Sequence, residues 1–215
     1  MGCSQCQGIE RLFDSKVARR ELRFYRWMGP RRTTSILLSF LRPMASSSSL
    51  LDIGGGVGVI QHELFDSGLN HAIQVDGASA YIQVSREEAN RRGHSHRTDY
   101  FHGDFVELVQ DKSDLGADLV TLDRVICCYP LMNELLGSAA DRARRAVALV
   151  FPRDGFLSRM AGRIGNLFVR LFDPDYKMYI HASADVDRLM HSRGFKKIKV
   201  RKTLFWQVQL FLRTK

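Results

Sequence analysis

The sequence predicts an α/β fold built on a doubly wound sheet of seven strands, mostly parallel with an antiparallel last strand, and preceded by a helical arm. From residue 50 onwards, apolar segments typical of strands alternate with amphipathic segments typical of helices, and this alternation indicates a parallel sheet covered by helices on both faces. The last two apolar segments, 195–201 and 204–212, are separated by only a couple of residues. So short a connection requires an antiparallel hairpin.

The bounds of the elements follow from hydrophobic period and from helix-stopping residues. In the last helix, Ser183 is the expected N-cap and Gly194 lies just past the end. The predicted strands are 50–53, 71–75, 100–102, 118–122, 146–151, 195–201 and 204–212, and the predicted helices are 57–67, 78–92, 131–145, 156–172 and 183–192.

Two further helices, over 8–28 and 33–41, form the predicted arm, and Gly29-Pro30 separates them. A serine-rich stretch, 45–49, is expected to be a flexible link. We therefore divide the chain into an arm or lid, 1–44, and a main domain, 45–215. Within that domain, the segment 156–180 is predicted to be a substrate-side insertion.

The stretch Leu50–Ile60 is the most informative part of the chain. It runs as a strand ending in Asp52-Ile53, a turn with glycine at 54, 56 and 58, and the start of a helix. Glycine lets backbone lie against a ligand because no Cβ intervenes. The following helix begins with unpaired N–H groups, which favour a phosphate- or nucleotide-like ligand.

Acidic residues follow three further strands. Asp76 comes eighteen residues after Gly58 and ends the second strand, Asp104 follows the third in Gly103-Asp104-Phe105, and Asp123 follows the fourth. Ligands of doubly wound sheets bind at these carboxyl ends, where an acid after the second strand accepts hydrogen bonds from ribose hydroxyls. Asp104 or its backbone can reach an adenine amine and Phe105 can wall the ring, so the pattern predicts an adenosine site.

The chain carries 32 Lys and Arg against 23 Asp and Glu, a net charge of +9. Such an excess can attract nucleic acid, an anionic membrane surface or an acidic substrate, and it can also be a plain solvated surface. The sequence leaves these readings open.

Four cysteines are too few for a disulfide framework in 215 residues, which favours a reducing, cytoplasmic location. Cys3 and Cys6 have the spacing of half a zinc site. Since no second pair with ligand spacing exists, we predict no metal. The adjacent Cys127 and Cys128 are expected to point to opposite sides of an extended segment.

These motifs, taken in order, resemble the class I S-adenosylmethionine-dependent methyltransferases, which have a Rossmann-like sheet and the same terminal hairpin. The resemblance covers roughly residues 45–212 and implies S-adenosylmethionine as the cofactor. The residues that carry it are Leu50–Gly58, Val75-Asp76-Gly77 with Ser79, Gly103-Asp104-Phe105, and Asp118–Arg124.

The resemblance also implies roles for individual residues. The three glycines would approach the methionine part of the cofactor, and Asp52 would orient its amino group. Asp76 would hold the ribose and Asp104 the adenine. Leu122, Asp123 and Arg124 would line the amino-acid end of the cofactor and the mouth of the acceptor pocket.

Methyl transfer from a sulfonium needs positioning above all, and a base only for a weakly acidic acceptor. Candidates for that base are Asp123, Tyr129 and His181. Tyr25, on the arm, is a further candidate that could close over the cofactor. Each role has a structural alternative. Asp123 and Arg124 can form a salt-bridged loop, and His181 and Tyr25 can be packing residues.

A closer similarity links the segment 170–200 to the magnesium-protoporphyrin O-methyltransferases, which carry a Tyr in an N-terminal arm and an Asp-x-x-Ile-His-Tyr-Pro run after the fourth strand. Here the run is Asp123-Arg-Val-Ile-Cys127-Cys128-Tyr129-Pro. It is one residue longer and has Cys where that family has His. We take the overall arrangement from this similarity and leave the tetrapyrrole substrate aside.

We therefore expect methyl transfer to a small-molecule acceptor, at oxygen. The apolar face of the helix over 156–172 can roof a hydrophobic acceptor, pack in the core, or lie on a membrane surface with its arginines. The rival expectations are an RNA methyltransferase and a catalytically silent module that binds the cofactor. The oligomeric state is left open.

Overall fold

The computed structural model describes residues 10, 13–112, 114–155, 158, 160, 162, 166 and 177–214. Cys3, Cys6 and most of the predicted helix over 156–172 lie outside the described residues. The expectations about them stay predictions, as does the division into an arm and a main domain.

The centre of the molecule is a seven-stranded sheet. Its strands are β1 (Ser49–Ile53), β2 (His71–Asp76), β3 (Thr98–His102), β4 (Ala117–Asp123), β5 (Ala143–Pro152), β6 (Phe195–Lys202) and β7 (Trp206–Arg213). They lie in the order β3-β2-β1-β4-β5-β7-β6. The first five are parallel, whereas β7 is antiparallel to both β5 and β6. This confirms the predicted fold class and places a topological switch point, where ligands bind, between β1 and β4.

Seven helices of the described residues cover this sheet: α1 (Ser15–Met28), α2 (Arg32–Ala45), α3 (Val59–Phe65), α4 (Ser79–Arg92), α5 (Phe105–Asp111), α6 (Met132–Arg142) and α7 (Ser183–Ser192). Short 3₁₀ turns span Ser95–Arg97 and Ile126–Cys128. Within the part of the chain that the structure describes, no helix is long and apolar enough to cross a bilayer.

The sheet separates two hydrophobic cores because successive strand residues point to opposite faces. Leu51 and Val120 belong to the core beneath α5, α6 and α7. Leu50 and Leu119 belong to the core beneath α2 and α3. The arm helix α2 therefore contributes to the main core of the molecule, through the fully buried side chains of Leu37, Leu38 and Leu41.

The fifth strand begins three residues earlier than the pattern predicts, because the chain is already extended at Ala143. The predicted helix to Arg145 was wrong there. Arg144 donates to Asp118 Oδ1 (3.2 Å), and Arg145 donates to Ser48 Oγ (2.7 Å). These long-range bonds tie the segment to β1 and β4 and outweigh its local helix preference.

The serine-rich link is an ordered turn and not a flexible one. Ser47 adopts a left-handed conformation (φ 59°), and its N–H donates to Gly68 O (3.1 Å). Ser48 is buried, and its hydroxyl donates to Met44 O (2.7 Å). α2 thus runs past Pro43 to Ala45 and passes directly into β1.

The N-cap of α7 also differs from the expectation. Ala182 occupies the cap position, and the N–H of Ser183 donates to Asp154 Oδ2 (2.9 Å). The hydroxyl of Ser183 instead accepts from Gln207 Nε2 (2.8 Å). Gly194 lies past the helix end with φ 75°, as predicted.

The arm helix α1 is anchored on α4 by polar contacts. Glu88 is fully buried, and its carboxylate accepts from Arg26 NH2 (2.7 Å), Arg91 NH2 (2.6 Å) and Arg92 Nε (2.8 Å). Burial by itself raises the pKa of Glu88, but the three guanidinium groups outweigh it and hold that pKa well below its usual range. A second pair, Arg19–Glu87 (3.2 Å), is exposed to solvent.

We expect Glu88→Gln to lower the free energy of unfolding by about 2–3 kcal/mol, because it leaves three guanidinium groups around a neutral amide. The matched control is Glu87→Gln, which removes an exposed pair and should cost less than about 1 kcal/mol. Urea denaturation at pH 7 measures the free energy of unfolding of both variants. Equal losses would show that the buried Glu88 carboxylate contributes no more to stability than the exposed Glu87. Since the folded-state pKa is lowered, the difference between wild type and Glu88→Gln should be complete above pH 4.5, the ordinary value, and fade below it.

Candidate functional site

A cavity of about 630 Å³ opens at the carboxyl ends of β1, β2 and β4. The end of α1 and the turn at Gly29-Pro30 roof it. Its volume is in the range of small-molecule and cofactor sites. The predicted site residues that line it are Tyr25, Asp52, Gly54, Gly56, Asp76, Gly103, Asp104, Phe105, Asp123, Arg124 and Tyr129.

Three predicted residues do not line the cavity. These are Gly58, Leu122 and His181, none of which is among the residues that line the cavity. Sequence reasoning missed the apolar roof, which consists of Phe13, Val17 and Phe24 from the arm, and also Trp206 from the start of β7.

The glycine turn has a left-handed backbone at Gly54, Gly56 and Gly58, which glycine adopts without strain. Gly56 has φ 56°, and a Cβ there would meet only the ring of Tyr81, at 3.8 Å, on the cavity side. Gly58 has φ 78°, and a Cβ there would collide with Ser85 Oγ and would lie 2.7 Å from Gln61 Nε2. Gly56 therefore leaves space for a ligand, whereas Gly58 leaves space for the protein's own buried side chains.

A buried chain of polar side chains holds this turn. Gln74 Nε2 donates to Gly56 O (2.8 Å). Ser85 Oγ donates to Gln74 Oε1 (2.6 Å), and Gln61 Nε2 donates to Ser85 Oγ (3.1 Å). All three side chains are inaccessible to solvent. A glutamine between Ile73 and Val75, in the middle of strand β2, was the available sequence signal for this hydrogen-bonded chain.

Asp76 holds the peptide unit on the other side of Gly56. Its carboxylate accepts from Gly56 N–H (2.8 Å) and from Ala78 N–H (2.9 Å). Burial raises the pKa of Asp76 to about 6, although both backbone donors act in the opposite direction. Each oxygen keeps a second lone pair, so the carboxylate can still accept from ligand hydroxyls.

Asp52 is a fully buried acid beside the turn. Its Oδ1 accepts from Thr121 Oγ1 (2.6 Å), while Oδ2 has no partner among the described residues. Burial raises the pKa of this carboxyl to about 7, against the effect of the Thr121 hydrogen bond. A buried carboxyl oxygen without a donor is costly, and it suits a cationic ligand group.

Asp123 is the last residue of β4, Arg124 follows it, and both line the cavity. Asp123 accepts from Arg124 Nε (3.0 Å) and from Thr34 Oγ1 (2.6 Å) of the arm. Arg124 has a left-handed backbone (φ 64°), a conformation that costs a non-glycine residue about 1–3 kcal/mol. The Thr34 contact joins the roof to the end of β4.

Asp104 and Tyr129 meet on the β3 side of the cavity. The Tyr129 hydroxyl donates to the Asp104 carboxylate (2.9 Å to Oδ2), which also accepts from Val106 N–H (2.8 Å) and so caps α5. Phe105 is buried against the cavity. On the side of the cavity predicted to bind adenine, the ring of Phe105 therefore lies beside the Asp104 carboxylate, which already accepts hydrogen bonds from Tyr129 and Val106.

Two candidate bases are engaged elsewhere. Tyr25 borders the cavity, but its hydroxyl donates to Glu63 Oε1 (2.9 Å) and accepts from Arg92 NH2 (2.8 Å), and burial raises its pKa above the usual range. His181 Nε2 donates to Ile126 O (3.0 Å). The structure does not bring His181 to the cavity, because this bond uses the ring to brace the turn after β4. Within the described ranges, no three His, Cys, Asp or Glu side chains are grouped so as to hold a metal ion.

Comparison with known proteins identifies the fold. No protein-family model and no curated sequence matches the chain. Among solved structures, magnesium protoporphyrin IX methyltransferase from Synechocystis with bound S-adenosylhomocysteine is 18% identical over 97% of this chain and 99% of that one, with a TM-score of 0.76. Its form with bound S-adenosylmethionine is 16% identical over 98% and 97% of the two chains, with a TM-score of 0.72.

An O-methyltransferase family protein from Burkholderia thailandensis is 14% identical over 84% of this chain and 58% of that one, with a TM-score of 0.64. These likenesses confirm that the chain has the class I methyltransferase fold.

We expect Gly58→Ala to destabilise the protein by about 3 kcal/mol, from left-handed strain and from overpacking against Ser85 and Gln61. The matched control is Gly93→Ala. Gly93 has the same backbone (φ 77°) but open space around its Cβ position, so it should lose about 1 kcal/mol. Urea denaturation measures the free energy of unfolding of both variants. Similar losses would show that a Cβ at position 58 does not collide with Ser85 and Gln61.

Proposed function

We propose that this protein binds S-adenosylmethionine in the main cavity and transfers its methyl group to a small-molecule acceptor, at an oxygen atom. One observation carries the proposal. A glycine turn open to ligand, a buried acid with an unpartnered oxygen and an acid at the end of β2 converge on one cavity, in Gly56, Asp52 and Asp76.

The residues present fit this cofactor. Asp52 Oδ2 would accept from the cofactor's amino group, and the open side of Gly56 would receive its methionine part. Asp76 would bind the ribose hydroxyls, while Phe105, Gly103 and Asp104 would enclose the adenine. The two Synechocystis structures, whose fold this chain shares, contain S-adenosylhomocysteine and S-adenosylmethionine, which supports the choice of ligand.

The cofactor supplies a methyl group already activated on a sulfonium. The protein's part is therefore to bind, to orient and to exclude water. The apolar side chains of Phe13, Val17 and Phe24 line the cavity and would help to exclude water once the cofactor is bound. Arg124 and Asp123, at the end of β4, border the space in which the acceptor would lie.

Asp123 is the best placed of the candidate bases for an acceptor that must lose a proton. It lines the cavity, and one of its two donors, the Thr34 hydroxyl, is itself able to turn towards another acceptor. Tyr25 and Tyr129 have their hydroxyls bonded to carboxylates, and His181 lies outside the cavity wall. We therefore assign proton acceptance to Asp123 and leave the other three as structural residues.

The acceptor end favours a small, largely apolar molecule, because Phe24, Trp206 and Met178 line the cavity. A second acceptor class, RNA, is favoured by a different observation. Strand β6 is an exposed sheet edge carrying Lys196, Lys199, Arg201 and Lys202. RNA binding would weaken steeply with salt, whereas binding of an apolar acceptor would not.

We expect Asp76→Ala to weaken S-adenosylhomocysteine binding by about 100-fold, because a buried carboxylate that accepts two hydroxyl hydrogen bonds is lost. The matched control is Asp99→Ala on neighbouring β3, whose side chain is exposed and pairs with His71 (3.3 Å). Calorimetry measures both affinities, and thermal unfolding verifies that the variants are folded. Unchanged affinity in a folded Asp76→Ala would overturn the ribose assignment. If that variant unfolds, Asp76→Asn takes its place.

Asp52 predicts a pH dependence of binding. Its pKa in the empty cavity is raised to about 7, so the carboxyl is mostly protonated at pH 6. A positively charged amino group beside it favours the ionised form. Binding of S-adenosylhomocysteine at pH 6 should therefore release a proton, and affinity should rise with pH until about 7 and then level off.

Calorimetry at pH 6 in two buffers of different ionisation enthalpy counts the protons released. Asp52→Asn keeps the shape of the side chain and should remove this release. If the variant releases as many protons as the wild type, Asp52 does not contact the amino group.

A further inference from the structure

Cys127 and Cys128 converge in space, contrary to the expectation from an extended chain. They lie on the 3₁₀ turn Ile126–Cys128, and their sulfur atoms are 3.8 Å apart. Consecutive residues of a 3₁₀ turn are separated by one third of a turn and not by half, so the two side chains can share a side. Neither thiol is in a disulfide, and both line the main cavity.

The turn that carries the two thiols is fixed by its neighbours. Tyr179 N–H donates to Cys127 O (2.7 Å), and Cys128 N–H donates to Val125 O (2.8 Å). His181 donates to Ile126 O (3.0 Å). Both sulfurs lie near one carbonyl, that of Arg124, at 3.3 Å and 3.6 Å. The pair is therefore preorganised, which lowers the entropy cost of binding one ligand through two bonds.

We propose that Cys127 and Cys128 form a chelating site for a single trivalent metalloid centre, of the class of arsenic(III) or antimony(III) hydroxides. Each S–H exchanges with one hydroxyl on the metalloid. A sulfur–metalloid bond forms, a metalloid–oxygen bond breaks, and the thiol proton leaves with the hydroxyl as water. Two exchanges release two waters, and no atom changes oxidation state.

The protonation state of the pair favours this class over two others. The Cys127–Cys128 hydrogen bond and burial raise the pKa of Cys127 well above its usual value, so this thiol is neutral at pH 7. A soft divalent cation must displace both thiol protons into solution, and disulfide formation needs a thiolate and an oxidant. Exchange with a neutral metalloid hydroxide releases no proton into solution, needs no thiolate and no oxidant, and buries no charge.

The test is a titration with phenylarsine oxide, which hydrates to a dihydroxyarsine, in a phosphine reductant. The parent protein for it carries Cys3→Ser and Cys6→Ser, so that only the adjacent pair can chelate. Native mass spectrometry should show one arsenical per chain. Cys127→Ser and Cys128→Ser should each weaken binding by about 100-fold or more, because the second bond of a chelate gains its strength from effective concentration.

Thermal unfolding verifies that each variant is folded. If a serine variant does not fold, Cys128→Ala is used in its place. No adduct on the parent, or an affinity in either single variant equal to that of the parent, overturns the proposal. Tighter binding of Cd²⁺ than of the arsenical at pH 7 overturns the ligand class. The titration contains no cofactor, so its result is independent of the proposed methyl transfer.

Discussion

The site depends on the fixation of the two peptide units that flank Gly56. Gly56 has no side chain, yet both polar groups of its backbone are held by side chains of β2: Asp76 accepts from its N–H, and Gln74 donates to its carbonyl. Ser85 and Gln61 continue the hydrogen bonds through a dry interior. Because unpaired polar groups are costly there, the turn cannot relax without breaking the whole chain of bonds. The open face of the turn is therefore preformed towards the cavity.

The roof is held by a different kind of interaction. α1 contacts α4 through Arg26, which donates to the buried Glu88 carboxylate, and through a small apolar cluster that includes Leu22 and Val84, whereas α2 belongs to the larger core beneath the sheet. The hydroxyl of Thr34, on α2, reaches Asp123 at the end of β4. The arm is consequently continuous with both the framework and the cavity wall, so displacement of α1 would disturb the acceptor side as well as the cofactor side.

The sequence was sufficient for what is local or periodic. Alternating segments predicted the strand set, a two-residue connection predicted the antiparallel hairpin, and Gly54, Gly56 and Asp76 were placed at one cavity. It was insufficient where distant residues decide. Gln61 and Ser85 are unremarkable in their own elements, and the role of Gln74 becomes clear only from its contacts. Tyr25 and His181 were predicted to be candidate bases from their positions in the sequence, but their side chains donate hydrogen bonds to Glu63 and to the carbonyl of Ile126. The thiols of Cys127 and Cys128 converged because tertiary bonds wind their segment into a 3₁₀ turn.

Several of the basic residues of the chain lie on strand β6, at the edge of the sheet. The antiparallel return of β7 leaves β6 as an edge strand of the sheet, with no further strand beside it among the described residues. Lys196, Lys197, Lys199, Arg201 and Lys202 follow one another along that edge. Two copies approaching edge to edge would bring like charges opposite each other, which is one way in which natural sheets resist aggregation. The positive charge along β6 would therefore disfavour edge-to-edge pairing of two chains.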